Sequence, residues 1–316
     1  MRVGFVGTGT MGNPMARCLI DAGHQLTVYD VRRQATTNLC ELGASWADSP
    51  RAVAESSQAV FMSLPGPSEV EQAVLDPDIG ILAGIPPGAT IIDTTTNSPT
   101  VSRRVSSICR GQGVEMLDSP VSGRPPTMTV MAGGGQAAFN EYRPLLEAMA
   151  GNIFYLGESG AGCITKLVTQ YLGYSNFVTA IEGLIIGAKA GVDPGMLAQV
   201  VPVSAGASRV FDNIPRSVLN GEFVSGGTLD IVAKDLHLAC EMAREAQAAS
   251  AIGNIADNVF QRGQAMGWGQ EGFAMAARVL ELMAGVELRS EFPQETHGYQ
   301  QTDPRHPGGP QGEQQG

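Results

Sequence analysis

Val3-Gly4-Phe5-Val6-Gly7-Thr8-Gly9-Thr10-Met11-Gly12 passes from an apolar, β-rich run into a glycine turn and then into the helical stretch Met15–Asp21. The three glycines divide the labour of a G-x-G-x-x-G turn. Gly7 permits the tight bend, Gly9 lets the backbone approach a pyrophosphate, and Gly12 lets helix and strand pack closely. The helix start adds unpaired N–H groups and a partial positive charge. A lone G-x-G-x-x-G is a weak signal, but here a second strand, Leu26–Tyr29, follows and closes on Asp30. A carboxylate at that place accepts hydrogen bonds from an adenosine ribose and repels a 2′-phosphate. The turn therefore implies a dinucleotide, with Gly7, Gly9, Thr10, Met11, Gly12 and Asp30 as its contacts. NAD is the expected form. Arg32 and Arg33 keep NADP as the alternative, because a guanidinium there can pair with a phosphate.

Outward from the turn, short β-rich runs alternate with helical stretches. Strands are expected at Val3–Val6, Leu26–Tyr29, Ala59–Leu64, Thr90–Asp93, Glu115–Leu117, Thr129–Met131 and Ile153–Leu156. Most are continuous apolar runs, as in a parallel sheet covered on both faces. The texture changes near Gly157. A proline-free helical pattern runs from Ile164 to Ala190, and Gly191-Val192-Asp193-Pro194 ends it. The rest, to about Leu288, reads as helix. The fold class expected is α/β: a Rossmann-like, doubly wound, mostly parallel sheet followed by an all-α second domain. The corresponding division is 1–160 for cofactor binding, 161–289 for the helical domain, and 290–316 for a disordered tail rich in Gln, Gly, Pro and His.

Composition removes other classes. The 316 residues are 43% hydrophobic and 16% charged, which suits a two-domain globular protein. No run of about 18 apolar residues is free of breakers, so no membrane span is expected. The N-terminal segment lacks the pattern of a secretory signal, and a cytoplasmic protein is expected. A net charge of −11 argues against a nucleic-acid partner. Cys18, Cys40, Cys109, Cys163 and Cys240 are scattered, odd in number and without C-x-x-C spacing, so neither disulfides nor a metal site is expected. His24, His237, His297 and His306 form no cluster, and His237 reads as a packing residue.

Three further motifs carry chemistry. Gly160-Ala161-Gly162 leads to Lys166 in the first turns of the helix between domains, where clefts form. A desolvated lysine facing a nicotinamide has a lowered pKa and can exchange a proton with a carbonyl or hydroxyl oxygen. Asp118-Ser119-Pro120-Val121-Ser122-Gly123 ends a strand with a turn whose hydroxyl and N–H groups can clasp a carboxylate. Asp93-Thr94-Thr95-Thr96-Asn97-Ser98-Pro99 ends another, and ligands bind at strand C-termini in open α/β sheets.

Taken together, the chain resembles the β-hydroxyacid dehydrogenase family, typified by 3-hydroxyisobutyrate dehydrogenase and tartronate semialdehyde reductase. The resemblance runs from Val3 to about Leu288 through six motifs in order: GFVGTGTMG, MSLPGPSEV, DTTTNSP, DSPVSG, GAGCITK and KDL at 234–236. It implies an oxidoreductase using NAD(P) on a small carboxylate substrate, assembled as a homodimer or homotetramer. It also implies roles. Lys166 matches the catalytic lysine, Ser122 and Gly123 the carboxylate clasp, Leu64-Pro65 a cofactor contact, Thr96 a residue near the nicotinamide, and Lys234 a residue closing over the site.

The chain departs from the family's pattern in three places. Gln170 stands where the family usually has Asn, four residues after the lysine, and is the third expected substrate contact. The loop Gly123-Arg124-Pro125-Pro126-Thr127 is shorter than the family's glycine-rich one. Arg124 replaces a small residue and can add a second anion contact. Two other readings stand beside the leading one. An imine reductase using NADPH is opposed by Lys166 and by Asp30-Val31. A dinucleotide-binding module without catalysis is supported only by Gln170 and the altered loop.

Overall fold

The computed structural model describes residues 1–290. The expected tail therefore lies outside the described residues, apart from Ser290, whose N–H donates to the Leu219 carbonyl.

Six strands form one parallel sheet: β1 (Arg2–Val6), β2 (Gln25–Tyr29), β3 (Ser45–Trp46), β4 (Ala59–Met62), β5 (Thr90–Asp93) and β6 (Glu115–Asp118). Their spatial order is β3-β2-β1-β4-β5-β6, the doubly wound arrangement. The chain starts at the middle of the sheet, winds one way to β3, returns to β4 and winds the other way. The reversal leaves a crevice between the C-terminal ends of β1 and β4. Helices α1 (Gly12–Asp21), α2 (Thr37–Glu41), α3 (Pro50–Glu55), α4 (Pro67–Leu75) and α5 (Pro99–Gly111) make the crossovers. Pro50, Pro67 and Pro99 each open a helix, where a missing N–H costs nothing. Apolar side chains of the strands fill two cores. Phe5 and Phe61 stack on one face, and Val60, Met62 and Ile91 pack on the other.

Past β6 the chain builds a second sheet from β7 (Val121–Ser122), β8 (Met128–Ala132) and β9 (Ala150–Tyr155), with α6 (Gln136–Glu147) between the last two. β7 and β8 pair antiparallel, and β8 and β9 pair parallel. The expected strands Thr129–Met131 and Ile153–Leu156 belong to this sheet and not to the main one. The helix after the glycine turn starts at Gly12 and not at Met15, because Pro14 is tolerated in a first helical turn.

α7 (Ala161–Lys189) joins the halves. At 29 residues it spans about 44 Å. Its start is buried against β8, and its later turns, with Phe177, Ile181, Leu184 and Ile185, enter a third core. That core is closed by α8 (Pro194–Val200), α9 (Leu229–Glu245), α10 (Ala251–Ala265) and α11 (Met275–Ala284). No described helix is long and apolar enough to cross a membrane.

Candidate active site

The glycine turn has the geometry of a phosphate cradle. Gly7 has φ +87°, and a Cβ there would overlap the Ser63 carbonyl at the end of β4. A Cβ at Gly12 would overlap the Gly7 carbonyl. Above Gly9 the space is open, with Arg32 Nη2 4.0 Å from an ideal Cβ. The N–H groups of Gly9, Thr10, Met11 and Gly12 donate to no acceptor among the described residues. A compact turn with free donors and room above one glycine fits a pyrophosphate.

Asp30 ends β2 and braces this turn from the side. Its Oδ2 accepts from the Thr8 N–H at 2.8 Å, and its Oδ1 accepts from the Arg32 N–H at 2.8 Å. A cavity of about 410 Å³ opens beside it, lined by Thr8, Gly9, Thr10, Asn13, Arg32 and Asn38 among others. Its size suits a nucleoside.

Across the crevice, hydrogen bonds tie the ends of β4 and β5 together. The Leu64 N–H donates to Thr95 Oγ1 at 3.0 Å, and Thr94 Oγ1 donates to the Met62 carbonyl at 2.6 Å. Asp93 holds the second turn: its carboxylate accepts from the Thr95 N–H at 3.0 Å and from Asn97 Nδ2 at 3.1 Å. Burial pushes Asp93 up to about 6, against the pull of those hydrogen bonds, with Asp118 on the next strand adding to the rise. Pro65 is exposed on this edge.

Asp118 performs a related task for α7. Its oxygens accept from the Gly160 N–H at 2.7 Å and the Cys163 N–H at 2.9 Å, so a carboxylate from β6 caps the helix that carries Lys166. Gly162 gives the approach its closeness, since a Cβ there would overlap the Asp118 and Met131 carbonyls.

Lys166 lies five residues into α7 and is 6% exposed. Its ammonium makes no hydrogen bond or ion pair among the described residues and is not fully sealed from solvent. Burial lowers its pKa, Asp235 opposes that, and the neighbouring Lys234 lowers it further. Lys234, on α9, reaches over from the helical domain. Its Nζ donates to the Thr96 carbonyl at 3.0 Å, and its stem passes over Gly66. Thr96 and the Leu64-Pro65-Gly66 turn are thus roofed by a residue from the other domain.

Gln170, one turn after Lys166 on the same helix face, is engaged with protein groups: Nε2 donates to Asp235 Oδ2 at 2.6 Å and to the Tyr174 hydroxyl at 3.0 Å. Ser122 and Gly123 are exposed on β7 and the turn after it, with Gly123 at φ +85°. Arg124 is exposed and makes no ion pair among the described residues. His237 does not pack as expected; it is half exposed and pairs with Asp257 at 3.2 Å. The five cysteines are unpaired, and no group of three metal-binding side chains occurs among the described residues.

The sequence reading missed four contributors. Asp93 and Asp118 stood in quoted motifs as strand ends, and their acceptor roles depend on loops brought from elsewhere. Asp235 sat unread in the KDL motif. Tyr174 carried only a spacing signal, four residues beyond Gln170.

Two family models match in sequence. The model of the NAD-binding domain of 6-phosphogluconate dehydrogenase covers 2–157, and that of the NAD-binding region of NADP-dependent 3-hydroxyisobutyrate dehydrogenase covers 160–280. The NAD-dependent L-serine dehydrogenase of Pseudomonas aeruginosa is 32% identical over 296 residues, 90% of this chain and 99% of the relative. The chain belongs to the β-hydroxyacid dehydrogenase family. Another member, 2-hydroxy-3-oxopropionate reductase of Escherichia coli, is 32% identical over 91% of this chain and all of its own. Among solved structures, the 3-hydroxyisobutyrate dehydrogenase of Mycobacterium tuberculosis with L-serine superposes with a TM-score of 0.80 at 27% identity, covering 88% of this chain and 98% of that one. An imine reductase from Pseudomonas sp. shares the fold at 19% identity and a TM-score of 0.54. Membership of the β-hydroxyacid dehydrogenases accounts for the cradle, and the cofactor is NAD(P).

Proposed function

We propose that this chain is a 3-hydroxyisobutyrate dehydrogenase-like enzyme that interconverts a small 3-hydroxy acid and its semialdehyde, with Lys166 as general acid and base. The observation carrying this reading is the buried, unpartnered ammonium of Lys166 at the start of the interdomain helix. A nicotinamide held by the glycine turn would supply the hydride chemistry. Lys166 handles the proton. As an amine it accepts the hydroxyl proton during oxidation, and as an ammonium it returns that proton to the carbonyl oxygen during reduction. Ser122 and Gly123 clasp the substrate carboxylate, Gln170 contacts the substrate, and Lys234 closes over Thr96. The domains divide as 1–160 and 161–289.

NAD is the preferred form of the cofactor, because the Asp30 carboxylate follows β2 and is hydrogen-bonded to the glycine turn, where it repels a 2′-phosphate. The reducing cytoplasm suits five unpaired cysteines. The assembly is a homodimer or homotetramer, in keeping with exposed Leu172, Ile186, Ile252 and Ile255 on the helical domain.

Replacing Lys166 by Ala tests the reading. NADH binding, followed by fluorescence, stays at the wild-type level, while oxidation of hydroxy acids falls by about 10²–10⁴-fold. Wild-type turnover in the variant sinks the assignment, and turnover of cyclic imines in place of semialdehydes replaces it with the imine reductase reading.

A further inference from the structure

Gln170 has its amide nitrogen fully committed. Both N–H bonds of Nε2 are used, one toward Asp235 Oδ2 and one toward the Tyr174 hydroxyl. The reverse orientation is closed to it. A carboxylate offers acceptors only, so turning the amide would set two oxygens against each other beside a side chain that is 3% exposed. Asp235 is itself fixed: the Lys234 ammonium lies 2.8 Å from Oδ1, in an ion contact too oblique for a hydrogen bond. Tyr174 is fixed as well, edge-on to Phe260 at 6.0 Å and to Phe273 at 5.8 Å between ring centres. What remains is Gln170 Oε1. It has no partner among the described residues, it is not sealed from solvent, and it belongs to the helix face of Lys166.

We infer that Asp235 and Tyr174 lock Gln170 with its carbonyl oxygen toward the cleft, so that the preferred substrate carries a hydrogen-bond donor, a hydroxyl or an ammonium, beside the reacting carbinol. This rests on the reading of Lys166 as the proton-transfer group. It narrows the substrate class to hydroxy acids with a second polar substituent, because an unsubstituted or methylated carbon leaves Oε1 desolvated and unpaired. Asp235 and Tyr174 are positioning residues that act through the amide.

Glycerate and 3-hydroxypropionate differ only by the C2 hydroxyl and make the test, with serine as the ammonium counterpart. In the wild type, kcat/KM with NAD favours glycerate or serine over 3-hydroxypropionate by about tenfold, the worth of one hydrogen bond. Gln170→Met keeps the length and removes the acceptor, and the ratio falls to about one through loss of the donor-bearing substrates alone. Asp235→Asn lifts the constraint on the amide and lowers the same ratio. A merely structural role moves all three substrates together and leaves the ratio where it was. Calorimetric binding of the acids to the NADH-loaded enzyme gives the comparison without turnover. Absence of turnover on every acid overturns the dehydrogenase reading, whereas equal affinity for glycerate and 3-hydroxypropionate, or a wild-type ratio in Gln170→Met, overturns this one.

Discussion

At Lys166 two opposing fields meet. Burial and Lys234 favour the neutral amine, and Asp235 favours the ammonium. Oxidation needs the amine, so its rate climbs as pH rises through the lysine's pKa, which lies below the ordinary value of about 10.4. Removing the negative charge in Asp235→Asn lowers that pKa further. The expected outcome is a pH profile of kcat/KM whose rise sits at lower pH than in the wild type; a rise displaced upward contradicts the assigned coupling. In the cradle, Gly12→Ala drives a methyl group into the Gly7 carbonyl. NADH affinity, read by fluorescence titration, drops at least about tenfold, because backbone has to shift where the pyrophosphate docks. Residues of this kind were legible in advance, since a glycine's task is set by its own turn. Gln170 was legible only as an anomaly. Its orientation is imposed by a carboxylate 65 positions away.

Among the elements, α7 depends on a cap that its own sequence does not contain. Asp118 of β6 supplies two charge-assisted hydrogen bonds to its first turn. Asp118→Ala leaves those donors buried and unpaired, and urea unfolding registers a loss of about 2–4 kcal/mol. Asp93 carries a burial penalty at neutral pH. Its pKa is raised in the folded state to about 6, so the folded protein binds the proton more tightly than the unfolded chain. The stability penalty is complete above about pH 6 and disappears as pH falls toward the unfolded value of about 3.9. Asp118 is raised by burial too and adds to the trend. Unfolding free energy measured from pH 7 to 4 therefore gains an increment on acidification, and Asp93→Asn has a flatter profile whatever its absolute stability. The long apolar strands and α7 were legible from periodicity. Ser45–Trp46 and Val121–Ser122 were not, since two-residue strands have no period to detect. They exist because a partner strand lies alongside.

For the molecule as a whole, the interdomain contacts are few and polar near the site. Thr100 donates to Glu245, and Lys234 donates to the Thr96 carbonyl. Light scattering of the purified protein is expected to give two or four times the mass of one chain. A monomer at micromolar concentration contradicts the assembly proposed.

By itself the sequence determined the doubly wound sheet, the helical second half and the dinucleotide turn. Each of these follows from short-range rules: the period of apolar residues, proline and glycine at element ends, and the absence of a Cβ where backbone crosses backbone. Only the tertiary structure decided that Asp118 caps α7, that Lys234 reaches Thr96, and that Asp235 turns the Gln170 amide. Those contacts join residues far apart in the chain, and hydrogen-bond direction is a property of the pair, invisible until the fold brings both members within 3 Å.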